Sequence, residues 1–293
     1  LIDLDFLSLE ISLQKIIGVT GTEGKSSTCS YLSETLSKKY NTQIIGNFGV
    51  TILDKKNLSK YLSNIDILII ELSSYQLDKL KYLKLHHAFI SNIMCDHLDY
   101  HDNQKKYIRS KFQIQKFLHV NSNLYISKNI YSKYKSFITV HKKRLIFNND
   151  HVSFKKNLEL YFKELNLNLI KNLIQNIDPT INIKNNIFLN ELDYRNQLIY
   201  KFKNLKIYND SKCTNLSNAI FKNNLINSKN KILILGGKLK KQQDIKFNIS
   251  NTLVLMFGNH SNSFLDHLNL INSKFFKFND LDTLTNFLKL ILK

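Results

Sequence analysis

The chain is short of the residues that cross-link or punctuate a protein. Of 293 residues, one is proline, none is tryptophan and three are cysteine. Cys29, Cys95 and Cys213 are scattered without metal-ligand spacing. An odd, sparse set of thiols suits a reducing cytoplasm rather than a disulfide scaffold. No apolar run approaches the length that spans a bilayer, and no signal peptide opens the chain, so a cytoplasmic protein with no membrane partner is expected. Acidic residues are also few: 42 Lys and Arg against 23 Asp and Glu leave a net charge of +19. Such a surplus can mark a nucleic-acid binder. Here the lysines are spread along the whole chain among abundant Asn and Ile. That pattern points to compositional bias and anionic small-molecule substrates, with no nucleic acid. The length suffices for two domains with real cores.

What the sequence does have is a phosphate-binding loop. Residues 18–27 read GVTGTEGKSS, after the apolar Lys15-Ile16-Ile17 and before a helix-like stretch. Gly21 and Gly24 allow a tight turn that presents backbone N–H groups to anionic oxygens. Lys25 can reach β- and γ-phosphates, and the Ser26 hydroxyl suits Mg²⁺. A helix starting near Ser26 would aim its positive end at the same phosphates. The general spacing of such loops asks for glycine at position 19, where Val19 stands.

Further along, ELSSYQLD at 71–78 follows the strand-like run 66–70, NDSKCTN at 209–215 follows 205–208, and LILGGKLK occupies 233–240. Glu71 ends a buried-looking strand, at the carboxyl edge where α/β proteins bind ligands, and its carboxylate can hold Mg²⁺. The segment NIMCDHLDYHD at 92–102 is dense in His and Asp. His97 and His101 are four apart and would share a helix face, but no thiol or third ligand is well spaced for a transition metal.

Strands are expected at 15–19, 42–46, 66–70 and 88–92, and helices at 26–39 and 104–118, as in a parallel α/β sheet. Residues 121–191 carry little periodicity beyond an amphipathic stretch at 158–177. Pro179 and the polar run after it suggest a linker. A second α/β unit follows, with strands near 198–208, 231–235 and 252–257 and a packing helix over 280–292. There is no internal repeat.

The loop spacing GxTGTxGK(S/T) resembles the ATP loop of the Mur ligases, and the other three blocks, in the same order, resemble its D-glutamate-adding members. The resemblance runs from about residue 3 to about residue 258. It implies an α/β protein with a central P-loop ATPase domain on a mostly parallel sheet, residues 1–191. A smaller Rossmann-like amino-acid-binding domain, 192–293, would follow. It implies ATP-dependent addition of D-glutamate to UDP-N-acetylmuramoyl-L-alanine through an acyl phosphate. That step serves peptidoglycan synthesis and, through it, cell shape and division. ATP and two Mg²⁺ ions are the implied cofactors, and a monomer is expected.

The resemblance also implies roles. Gly21, Thr22, Glu23, Gly24, Lys25, Ser26, Ser27, Arg195 and Asp210 would bind ATP. Asn47, Ser73, Thr214 and Lys240 would contact substrate. Lys25, His97, Lys111 and Lys212 would be catalytic. Ser26, Glu71, His97 and Lys111 would hold metal, Lys111 as a carbamate formed with CO₂; an ordinary exposed lysine is the alternative. Three features depart from the family: Glu23 replaces the usual Asn, Tyr194 replaces a His, and Asn168 and Asn172 are one residue too far apart for the adenine motif. The family's UDP-binding domain and its late C-terminal segment have no counterpart. The expectation is a fragment or a reduced enzyme. The competing expectations are a nucleotide-binding remnant without activity, and a basic nucleic-acid-dependent ATPase supported only by charge.

Overall fold

The computed structural model describes residues 2–7, 15–51, 58–94, 96–147, 158–183, 193–213, 216–237, 246–259 and 261–292. The chain divides into two compact units, 1–95 with 101–190 and 96–100 with 191–293.

The first unit is built on six strands: β1 (Lys15–Thr20), β2 (Thr42–Gly46), β3 (Ile67–Glu71), β4 (Leu85–Ile90), β5 (Leu118–Ile126) and β6 (Leu145–Phe147). Their order is β2-β3-β1-β4-β5-β6, and every pairing is parallel. Side chains alternate between faces, so each strand must satisfy two apolar layers. Leu68, Ile70, Ile16 and Ala88 face one layer. Ile67, Ile69, Ile17, Val19 and Phe89 face the other. The second layer is closed by helices Lys25–Leu36 and Leu158–Ile177. The latter buries Leu169, Ile170, Leu173, Ile174 and Ile177 at helical spacing against Tyr31, Leu32 and Leu36. Each such side chain contributes roughly 1.5–3 kcal/mol of transfer free energy.

The observed elements differ from the expected ones for physical reasons. β1 and β2 fall on their expected runs, and β3 ends one residue later, on Glu71. β4 begins and ends earlier than expected, because Ser91 and Asn92 leave the sheet to hold a neighbouring loop. The expected helix 104–118 is Gln104–Phe112 followed by a 3₁₀ turn, Gln113–Phe117, and the expected 26–39 stops at Leu36. The stretch 121–191 holds most of β5, all of β6 and the helix Lys128–Tyr134. β5 gives a weak signal because only its last part, Leu124-Tyr125-Ile126, is continuously buried. Directly after helix Leu158–Ile177 the chain is held at Asp178, and residues 184–192 of the expected linker lie outside the described residues. Asp178 accepts from Lys39 Nζ (2.6 Å) and Tyr40 Oη (2.8 Å).

In the second unit the expected strand 198–208 is two strands, β7 (Gln197–Phe202) and β8 (Leu205–Asn209), paired antiparallel. Lys203 at φ 49° takes the turn between them. β9 (Lys231–Gly236), β11 (Thr252–Phe257) and β13 (Lys274–Phe278) form a parallel sheet in the order β13-β11-β9. β10 (Phe247–Ser250) pairs parallel with β12 (Leu268–Ile271). Helix Leu281–Ile291 is capped by Asp280, which accepts from Thr283 N–H (2.8 Å), and sets Phe287 against Phe276 and Phe278.

Candidate functional site

β1 is the centre of the first sheet, with β3 on one side and β4 on the other. Chain connections leave in both directions there, which is the switch point where open α/β sheets bind ligands. The loop Gly21–Gly24 leaves β1 at that point and runs straight into helix Lys25–Leu36. Gly21 has φ 146°, and a Cβ on it would lie 1.9 Å from Ser91 Oγ. Gly24 has φ 76° and forms the left-handed N-cap. Both positions therefore require glycine.

The loop is braced from the end of β4. Thr22 N–H donates to the Asn92 carbonyl (3.0 Å), and Glu23 N–H donates to Asn92 Oδ1 (2.8 Å). Ser91 Oγ donates to the Glu23 carbonyl (2.6 Å). Two loop amides are thus turned to the protein. Lys25 Nζ donates to the Thr22 carbonyl (2.8 Å). Ser26 is buried and Ser27 half-buried in the first helical turn.

Glu71 pairs in register with Val19, so it ends its strand beside the loop. It is only 2% exposed. Asn47 Nδ2 donates to Glu71 Oε1 (2.9 Å), while Oε2 is buried with no hydrogen-bond partner. A buried carboxylate oxygen without a hydrogen-bond partner beside this loop fits a hard divalent cation. Asn47, expected to contact substrate, orients that carboxylate here. Ser73 caps the short helix Ser74–Lys79, accepting from Gln76 N–H (3.2 Å).

Lys111 is not an exposed lysine: it is 2% exposed. Its Nζ lies 3.4 Å from Thr20 Oγ1 and 5.4 Å from the Tyr107 ring centroid. The fold therefore brings Lys111, Thr20, the loop and the end of β3 together. Cys29, one turn after Lys25, is fully buried, and burial pushes its thiol well up.

The two histidines of the His- and Asp-rich segment do not share a helix face. His97 has φ 53°, a left-handed residue that cannot extend helix Leu98–His101. It belongs to the second unit, with Nε2 3.4 Å from Asp96 Oδ2. His101 belongs to the first, buried against the Tyr107 ring at 5.4 Å with Nδ1 3.6 Å from Asp78. Among the described residues no three His, Cys, Asp or Glu side chains gather as a metal cluster.

In the second unit, β7 and β8 bring Arg195 and Asp210 to the same end of a hairpin, because Gln197 pairs with Asn209. Asn196 N–H donates to Asp210 Oδ1 (2.8 Å), and Lys212 N–H donates to the Tyr194 carbonyl (3.1 Å). Lys212 Nζ lies 5.4 Å from the Tyr194 ring centroid. Arg195 is half-buried between two left-handed residues, Tyr194 and Asn196. Lys222 Nζ grips both oxygens of Asp210 at 2.9 Å. Thr214 and Lys240 lie outside the described residues.

Several contributors lie outside the sequence motifs' assigned roles: Ser91, Asn92, Tyr107 and Lys222. Tyr107 has a usable signal, since it lies one helical turn before Lys111. Asn172, considered for adenine, donates to the Phe147 carbonyl (3.1 Å) instead. Asn166 is the residue beside the loop: its Nδ2 would lie 3.3 Å from a Cβ on Gly24.

Comparison with known proteins bears on the family and the fold. The Mur ligase middle domain matches residues 19–171, more than half of the chain. The UDP-N-acetylmuramoylalanine–D-glutamate ligase of Fervidobacterium nodosum is 30% identical over 78% of this chain and 54% of its own length. The same enzyme of Listeria monocytogenes is 26% identical over 80% of this chain and 56% of its own. The chain thus spans about half the length of these curated relatives. In fold, the MurF ligase of Thermotoga maritima in complex with ADP is similar at a TM-score of 0.67 and 14% identity, over 99% of this chain and 77% of that one. MurF of Acinetobacter baumannii is similar at 0.63 and 13%, over 99% and 78%. A match to the middle-domain model across more than half of the sequence, on a loop and sheet of the matching architecture, means that the chain belongs to the Mur ligase family.

Proposed function

We propose that this chain carries the ATP-binding and amino-acid-binding parts of a cytoplasmic ligase that joins D-glutamate to UDP-N-acetylmuramoyl-L-alanine. The first unit would bind ATP and activate the carboxylate; the second would bring D-glutamate. The observation that carries the reading is the convergence at the end of β1. Lys25 heads a helix N-terminus there, beside the unpartnered buried oxygen of Glu71 and the buried Lys111. The sequence relatives support D-glutamate as the amino acid; the structural likeness to MurF supports the fold alone.

ATP would transfer its γ-phosphoryl group to the substrate carboxylate, releasing ADP and forming an acyl phosphate. The D-glutamate amine then attacks the acyl carbon, and phosphate leaves as the amide forms. Lys25 follows the transferring phosphoryl group and neutralises its equatorial oxygens. Helix Lys25–Leu36 adds its N-terminal dipole to the same charge. Ser26 and Glu71 would hold Mg²⁺, which supplies positive charge to the phosphate oxygens when bound. His97 and Lys111, the latter carbamylated, are each proposed as a metal ligand. Gly21, Thr22, Glu23, Gly24, Ser27, Arg195 and Asp210 would bind the nucleotide, Asn47, Ser73, Thr214 and Lys240 the substrates, and Lys212 would act in catalysis.

The competing reading is a nucleotide-binding remnant without ligase activity. One observation favours it: the Asp210 carboxylate proposed for the nucleotide is engaged on both oxygens by Lys222. The purified chain, given MgATP, D-glutamate and the sugar nucleotide, decides between them. The ligase reading expects MgATP binding and slow, substrate-limited release of ADP with amide product. MgATP binding without product favours the remnant, and no MgATP binding overturns both.

A further inference from the structure

The phosphate loop is also contacted from helix Gln104–Phe112. Tyr107 is fully buried on helix Gln104–Phe112. Its hydroxyl lies 2.8 Å from Thr22 Oγ1. Thr22 Oγ1 also accepts from Met94 N–H (2.9 Å) and reaches the Met94 carbonyl at 3.3 Å. A hydroxyl has one proton to give and two lone pairs to fill. All three contacts are satisfied together in one arrangement: Thr22 donates to the Met94 carbonyl and accepts from Met94 N–H and from Tyr107 Oη–H. Tyr107 is the donor. The carbonyl of the same Thr22 holds Lys25 Nζ at 2.8 Å. One residue thus receives Tyr107 on its side chain and Lys25 on its main chain.

The ring of Tyr107 is fixed in turn. His101 meets it edge-on at 5.4 Å, and Lys111 Nζ stands 5.4 Å from its centroid. Tyr107 and Lys111 are one turn apart on the same helix, so the helix that carries the buried lysine also carries the loop's brace. The ring is thus buried and contacted on two sides, and its hydroxyl meets Thr22 from that packed position.

We infer that Tyr107 is a positioning residue of the nucleotide site, acting through Thr22 to set the place from which Lys25 meets the phosphates. The inference rests on the phosphate-binding reading of the loop. It assigns Tyr107 no contact with the nucleotide; the route it assigns runs from Tyr107 through Thr22 to Lys25.

Calorimetric titration of MgATP into the whole chain tests it, with wild type, Tyr107→Phe, Lys25→Met and the double variant. Tyr107→Phe keeps the ring and removes one buried hydrogen bond, so affinity should fall about three- to tenfold. In the Lys25→Met background the same change should cost less than about twofold, which a merely structural role would not produce. Thr22→Val removes the bond from its other partner and should weaken MgATP at least as much. It guards against a poorly folded tyrosine variant, and thermal melting of each protein checks the fold. Wild-type affinity in Tyr107→Phe would overturn the inference, as would an equal loss with and without Lys25. If wild type itself fails to bind MgATP, the phosphate-loop reading falls first, and that outcome is separate from the others.

Discussion

β3 and β9 are written in nearly the same alphabet, ILIIE and KILILG, yet they live in different surroundings. Every residue of β3 is buried, including its charged end. In β9, Ile232 and Ile234 are 40% and 44% exposed. The hairpin β7–β8 is more open still, with Ile199 and Phe202 more than half exposed. β3 is an inner strand with an apolar layer on each face, while β9 is the edge of a three-stranded sheet. An apolar β-branched run therefore predicts a strand in both units, but not the depth at which it lies. The number of layers decides that.

The largest effect expected from any single change lies in the chemistry of the first unit. Lys25→Ala should lower acyl-phosphate formation about 10²- to 10³-fold, since it removes a charged donor from a developing anion. The melting temperature should stay near wild type, because Lys25 is only half-buried and packs in no core. A large fall in melting temperature would mean that the loop is part of the fold's stability and not only of its site.

The contrast between strands is tested next. Ile69→Ala empties a fully buried position of β3 and should cost about 2–5 kcal/mol in urea unfolding. Acid should erode the same unit. His87 is half-buried on β4, and desolvation, aided by His86 and Lys15, pushes its ring from 6.5 down to about 4. Its folded value is depressed, so the unfolded chain binds the proton first. The stability it lends is complete above pH 6.5 and is lost as pH falls toward 4, by about 3 kcal/mol at most. His87→Phe should flatten that slope, and an unchanged pH dependence in the variant would place the acid sensitivity elsewhere. The smallest effect is expected at the edge. Ile234→Ala should change stability by no more than about 0.5 kcal/mol. A loss as large as that of Ile69→Ala would show that β9 is covered by something in solution, and the two strands would then not differ in depth.

Much of the first unit is legible in the sequence. The runs at 15–20 and 67–71 are visible because inner strands buried on both faces are largely apolar, and 42–46 is visible from its Ile44-Ile45 pair before a glycine. The loop is visible because its glycines, Lys25 and Ser26 are adjacent in sequence, and Glu71 because it follows an apolar run directly. β5 is not, since its first half is largely polar and exposed. The hairpin β7–β8 reads as one strand because its turn residues, Lys203 and Asn204, include no Gly or Pro. His97 and His101 look like a helical pair because spacing is blind to a single left-handed residue.

By itself, the sequence determined a glycine-bearing loop between a strand and a helix, the type of sheet behind it and the acidic residue at the sheet's edge, because each depends on neighbours along the chain. Only the tertiary structure decided that β4 lies beside β1, which lets Ser91 and Asn92 hold the loop. The same packing buries Lys111 against Tyr107 and Thr20 and leaves one Glu71 oxygen unpaired. It also gives Asp210 to Lys222. Those facts join residues far apart in the chain, and no local propensity or spacing encodes which of many similar lysines and tyrosines the packing will bring to one place.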